Sequence, residues 1–169
     1  MRIALAIGAV ALVAGCATSG PTMRGAVPAI ILSQNGLGPA GSELTIDFGR
    51  AQAGVISAVS ALQGETPRST DTNAECGAGP VFSATWDNGL TLNFQDGKFL
   101  GWVAQSPFEA AYPSGSVALG RAVDALGAGF APEQTSLGQE FVAGGLWHLI
   151  DDEHAQVTTV WAGLTCFFR

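Results

Sequence analysis

Charge is scarce in this chain. Only 12% of its 169 residues are charged, with seven Lys and Arg against fourteen Asp and Glu, for a net charge of -7. Nucleic-acid binding by phosphate neutralisation needs a basic surface, so that class is excluded. Histidine is nearly as rare: His148 and His154 are the only two, so any His-dependent catalysis must use one of them. No G-x-S-x-G nucleophile elbow occurs; Gly115-Ser116 lies within Pro-Ser-Gly-Ser, without strand-turn-helix context. There is one tyrosine, and there are three cysteines. Hydrophobic residues, by contrast, make up 47%. That balance excludes intrinsic disorder, which needs low hydrophobicity and high charge, and the length suffices for one domain with a real core.

The first residues carry a processing pattern. Met1-Arg2 precedes an apolar run from Ile3 to Gly15 that closes on Val13-Ala14-Gly15-Cys16. A basic start, a short apolar stretch and small residues before a cut site predict a secretory signal peptide over 1–15. A membrane-spanning helix would need about 20 apolar residues, and Thr18-Ser19 and Pro21 interrupt the run too soon. The ending resembles the bacterial lipoprotein signal, the lipobox. That resemblance implies cleavage before Cys16, acylation of its sulfur and its new amine, and anchoring of the chain in a lipid bilayer. Ala17 in place of Asp implies the outer membrane, facing the periplasm. Loss of Arg2 would leave the mature chain still more acidic, so attachment should rest on the acyl chains and not on anionic lipid. Lipidation of Cys16 would leave Cys76 and Cys166. In an oxidising compartment these suggest one disulfide, worth roughly 4 kcal/mol for so long a loop in the chain-entropy model. Two free buried thiols are the alternative. No third ligand sits at zinc-like spacing, so no metal site is expected there.

Residues 16–28 read as a flexible tether and 29–169 as a single domain, with suspected halves 36–106 and 107–169. Ala29 to Leu32 suggests a first strand, and Leu44 to Phe48 alternates as a half-buried strand does. A helix is predicted over 50–63, with Val55, Val59 and Leu62 on one face and Gly64 at its C-cap. The stretch 65–80 reads as loop. A three-stranded meander follows: Val81 to Trp86, Leu90 to Phe94 and Lys98 to Val103, with Asp96-Gly97 as its hairpin turn. The pattern then restarts. Leu119-Gly120-Arg121-Ala122 echoes Phe48-Gly49-Arg50-Ala51, Val123 and Leu126 begin a second apolar stripe, and Gly127 caps it. Strands are predicted again over 139–142, 145–150, 157–161 and 163–168.

Strand, Gly, amphipathic helix, Gly and antiparallel meander, used twice, resembles a class of small bacterial envelope proteins. The class includes the small assembly lipoprotein of the outer-membrane β-barrel machinery and the tandem-repeat β-lactamase inhibitor proteins. The resemblance spans about Gly36 to Cys166. It implies an α+β fold of two α-β-β-β halves with helices on one side of an antiparallel sheet, and binding of another envelope protein without catalysis. A small β-barrel or sandwich with one helix is the alternative fold, and a periplasmic enzyme the alternative function.

Other motifs carry less. Gly36-Leu37-Gly38-Pro39-Ala40-Gly41 matches G-x-G-x-x-G literally, but a strand follows where a dinucleotide site needs a helix, and Pro39 removes an amide. No nucleotide or other cofactor is expected. His148 and His154 flank Asp151-Asp152-Glu153, which reads as an acidic hairpin tip and not as a metal site. Trp86, Trp102, Trp147 and Trp161 all fall on predicted strands or their ends. They are candidates for the core or, on an exposed sheet face, for partner binding.

Overall fold

A computed structural model describes residues 29–126 and 131–167. The expected signal peptide, the tether with Cys16, the Gly127 cap and the last two residues lie outside the described residues.

The chain begins with a small antiparallel sheet of β1 (Ile30–Ser33), β2 (Gly36–Pro39) and β3 (Ile46–Asp47), in that order. The Gly-Leu-Gly segment is thereby strand β2 and not a phosphate loop. Its glycines answer a steric need: a Cβ on Gly36 would lie 2.2 Å from the Ile46 carbonyl oxygen, and one on Gly38 2.4 Å from that of Leu44. Helix α1 (Gln52–Gln63) follows and ends at Gly64, whose φ of 74° lets its amide reach the Ser60 carbonyl.

The rest is one eight-stranded antiparallel sheet made of two meanders. The first holds β4 (Ser69–Asn73), β5 (Val81–Thr85), β6 (Leu90–Gln95) and β7 (Lys98–Gln105). The second holds β8 (Glu133–Thr135), β9 (Gly138–Ala143), β10 (Leu146–Asp151) and β11 (Gln156–Gly163). Strand order is β4-β5-β6-β7-β11-β10-β9-β8, so the last strand of each meander pairs with the other.

The junction has an internal two-fold. Val103 faces Trp161 at its centre, Thr159 pairs with Gln105, and Gly163 pairs with Gly101. β7 and β11 share one burial pattern along their length. Both inner hairpins carry a register shift at matching positions, after Asn93 and after Leu149. The lead-in segments match too. Gly49 and Gly120 donate to the Phe99 and Val157 carbonyls at 2.7 and 2.8 Å, and those residues donate back to Arg50 and Arg121 at 2.8 and 3.0 Å. The sequence echo at Gly-Arg-Ala thus marks equivalent docking of two chain segments on two strands.

One face of the large sheet is covered by α1 and the small sheet. A single core cluster joins Ile30 and Leu37 of the small sheet, Val55 and Val59 of the helix, and Leu92, Phe94, Leu146 and Val160 of the large one. Trp102 on β7 ties the layers, its indole nitrogen donating to the Ser33 carbonyl at 2.9 Å. The architecture is mostly antiparallel sheet with one helix, sandwich-like and not a closed barrel.

Several expectations are corrected. Among the described residues there is one helix and not two: the second apolar stripe forms only a 3-10 turn, Val123–Leu126. Gly127 and Gly129 follow at once in sequence, and a helix that cannot propagate does not repay its nucleation. Each half has four sheet strands and not three. β4 was hidden by its composition, Ser-Thr-Asp-Thr-Asn, which shows no apolar alternation because it is a solvated edge. The strand expected over Leu44 to Phe48 shrinks to two residues, with Leu44 71% exposed. The closing strand expected over 163–168 is not one: β11 ends at Gly163 and residues 164–167 run on outside the ladders.

Candidate functional site

The two cysteines meet as a disulfide. Cys76 and Cys166, 90 residues apart in sequence, have Cα atoms 5.3 Å apart and are bonded. The bridge pins the C-terminal segment to the β4–β5 loop. On the way the segment crosses the outer face of the first meander. Leu164 donates its amide to the Leu100 carbonyl at 2.8 Å and accepts from the Asn93 side chain at 2.9 Å, which in turn accepts from Ser83 Oγ at 2.8 Å. Gly101 makes room: a Cβ there would sit 2.1 Å from the Leu164 carbonyl oxygen.

The four tryptophans divide. Trp86 and Trp102 are fully buried with their indole N–H groups satisfied, by the Glu65 carbonyl at 3.2 Å and by Ser33. Trp161 is buried as well, on the outer face, with Phe167 edge-on to it at 5.1 Å. Trp147 differs. It stacks on Trp161 with ring centroids 6.2 Å apart, yet remains 37% exposed. Its cross-strand partner Val142 is 54% exposed. Together they form an apolar step on the outer face of β9 and β10. Val142 escaped the sequence reading because Gly138–Ala143 has no unbroken alternation to set its face.

Internal symmetry makes this step informative. Trp147 faces Trp161 as Thr91 faces Val103, and Val142 pairs with Trp147 as Thr85 pairs with Thr91. In the first meander this place holds two threonines whose hydroxyls bond each other at 3.1 Å. The sheet therefore does not need a large apolar pair there.

The histidines separate the parts of a catalytic triad. His148 has a serine beside it, with Nε2 3.3 Å from Ser116 Oγ, but it is fully buried under a loop, and among the described residues no carboxylate is bonded to its ring. His154 has the acid and no serine: its Nδ1 lies 2.6 Å from Asp151 Oδ2 on the exposed hairpin tip. The His154 hydrogen bond, with help from the Glu153 amide, holds the Asp151 carboxyl below its usual range. Among the described residues no group of three or more His, Cys, Asp or Glu is placed to hold a metal. An open groove of about 380 Å³ runs between β3 and α1, lined by Ile46, Gly54, Val55 and Ala58 with Arg50 as its only charged group. Acid-base chemistry needs at least two converging ionisable groups, which this lining lacks. Among the described residues no helix is long and apolar enough to cross a membrane.

What the arrangement offers chemically is recognition by surface: an exposed aromatic-aliphatic step on the sheet, braced from the neighbouring strand by a buried aromatic. Comparison with protein-family models, with curated proteins and with solved structures finds no match for this chain.

Proposed function

We propose that this chain is a lipid-anchored cell-envelope protein, held in the outer membrane by acylated Cys16 and facing the periplasm, that works by binding another envelope protein and not by catalysis. The anchoring half of this reading rests on the Val-Ala-Gly-Cys sequence. The binding half rests on one observation: Val142 and Trp147 stand exposed where the equivalent places of the same sheet carry Thr85 and Thr91. A position whose counterpart is a self-satisfied threonine is free to take any solvated residue. A tryptophan 37% exposed there leaves aromatic surface within a partner's reach, and tryptophan is a residue type enriched at binding hot spots. The stacked, buried Trp161 fixes its orientation and reduces the entropy lost on contact.

Site-specific crosslinking in cells tests the binding half. A photoreactive side chain at position 142 should give one discrete adduct in the envelope fraction, and the same group at position 85 should give none. Equal adducts from both positions, or none from 142, would overturn the assignment of this face. Acyl labelling tests the anchoring half: Cys16→Ala should lose the label and leave unprocessed precursor, and a labelled variant would refute it.

A further inference from the structure

A second departure from the internal symmetry lies one residue further along β10, on the opposite face. His148 is fully buried at the place that Leu92 fills, equally buried, in the first meander. Leucine therefore satisfies this position for packing. The imidazole lies flat on Phe141, centroids 4.6 Å apart, and pairs across the ladder with Val160. Its Nε2 is 3.1 Å from the Val117 carbonyl oxygen, 3.4 Å from the Val117 amide and 3.3 Å from Ser116 Oγ. Its Nδ1 has no hydrogen-bond partner among the described residues.

Ser116 and Val117 belong to the strap of residues 106–122 that carries the chain from the first meander to the second. Ala111 of the strap exchanges backbone hydrogen bonds with Ile30 and Leu32 of β1 at 2.9 and 3.0 Å. Its far end is fixed by Gly120 and Arg121 on Val157. Between these anchors the strap passes against the β9–β10 turn, where a Cβ on Gly144 would lie 2.6 Å from the Ser116 nitrogen. From the sheet, the His148 side chain bonds the strap in this middle stretch.

We propose that His148 is an acid-sensitive latch: its neutral ring holds the 112–117 stretch of the strap on the sheet, and a second proton on the ring drives the ring out and frees that stretch while the meanders stay folded. The neutral ring can donate from Nε2 to the Val117 carbonyl. The protonated ring places a charge in an apolar pocket, where only the backbone groups of Val117, Leu146 and Phe141 can answer it and no carboxylate does. Among the described residues no neighbouring charge compensates. Glu140 on β9 and Asp151 on β10 stand at the opposite strand parity to His148 and belong to the other face. On β11 the nearby Val157, Val160 and Ala162 are aliphatic, and β1, β2 and α1 carry no charged residue. On the strap, Glu109 and Arg121 are exposed, and burial pushes the Tyr112 phenol up to about 12, so it stays neutral throughout. Burial lowers the proton affinity of His148 itself, outweighing the backbone hydrogen bonds of Val117, Leu146 and Phe141, in the same direction as this geometry.

The test is amide hydrogen exchange of the full chain between about pH 7 and pH 5, corrected for intrinsic rates, beside an NMR titration of the His148 ring. The Ser116 and Val117 amides should lose protection by up to about tenfold per pH unit, the limit set by one proton, while the Ala111 anchor and the Val157 and Phe99 amides keep theirs. His148→Leu, the residue of the equivalent place, should abolish the pH dependence at the strap. Strap protection that ignores pH in the natural chain, a uniform loss in all elements, or an unchanged pH dependence in His148→Leu would each overturn the proposal. Should the variant fail to fold, the ring titration of the natural chain decides. A ring that takes its proton with the same midpoint as strap release supports the latch, and a ring that titrates without strap release refutes it.

Discussion

The two meanders of the large sheet share registers, a register shift and a mode of docking, yet differ in what lies over and under them. The first is covered outside by the disulfide-bound C-terminal segment, which rests on Gly101 and Asn93. At the equivalent places the second has Thr159 and Leu149, which pair with each other across the ladder. The first also holds the long helix where the second has a single 3-10 turn. Shared features report what the sheet needs to form. The unshared ones cannot be explained by the sheet, and they are where function is to be sought. Two of them, Trp147 and His148, are consecutive residues on opposite faces of one strand.

The comparison breaks most visibly at Trp102. It fills the layer between the sheets and bonds Ser33, whereas its counterpart Val160 has no polar partner to satisfy. Trp102→Ala should cost about 3–5 kcal/mol and give the largest fall in stability of any single truncation in the sheet. Urea unfolding measures it. A loss below about 1 kcal/mol would mean that the helix and small sheet do not pack on the first meander as described.

Next in size is the disulfide. Replacing Cys76 and Cys166 together by Ser should cost about 2–4 kcal/mol and loosen residues 164–167 before the ladders. Limited proteolysis near the C-terminus should follow the loss. If the reduced chain keeps its full stability and resistance, the segment is held by Leu164 alone and the asymmetry between the outer faces does not depend on the bridge.

How much of this was legible in the sequence depends on whether a residue's role is local. The helix, its Gly64 cap, the Asp96-Gly97 turn and the meander strands announce themselves through period and turn chemistry. The Gly-Arg-Ala echo pointed to two equivalent segments, and the structure gives those residues equivalent hydrogen bonds. The second helix is a false expectation because a short apolar stripe resembles a helix until the following glycines are weighed against nucleation. Edge strands β4 and β8 are polar and leave no period. The pairing of Cys76 with Cys166 followed from counting, but the route of the C-terminal segment did not. Among the tryptophans, sequence puts all four on strands or their ends and does not choose faces. Face depends on the register and bulges of strands distant in sequence, and so Val142, Ser116 and Asn93 carried no signal at all.

A smaller effect is expected from pH. His148 has its proton affinity lowered in the folded chain by burial, so between that lowered value and the ordinary value near 6.5 the unfolded chain binds more protons. Stability is therefore complete above about pH 6.5 and is lost as pH falls below it, by at most about 1.4 kcal/mol per unit from this one group. The first meander, with Leu92 at the same place, supplies the control: His148→Leu should flatten the curve of urea midpoint against pH. A variant that keeps the slope of the natural chain would assign the acid sensitivity to carboxylates instead.

The smallest effect on stability, and the sharpest on function, is expected at Trp147. Trp147→Thr, together with Val142→Thr, copies the first meander into the second. Threonine is a good strand residue, and the pair can close the same hydroxyl bond that Thr85 and Thr91 make, so unfolding free energy should move by no more than about 0.5 kcal/mol. Partner capture should fall by about 2 kcal/mol or more, roughly thirtyfold, because an aromatic anchor on a rigid support is lost. The reverse swap, Thr91→Trp with Thr85→Val, should be tolerated by the fold and should not create capture, since the cross-strand neighbour there is Val103 and not a stacked Trp161. If the threonine pair destabilises the chain by 3 kcal/mol or more, Trp147 is a structural residue, and the difference between the meanders then belongs to packing and not to recognition.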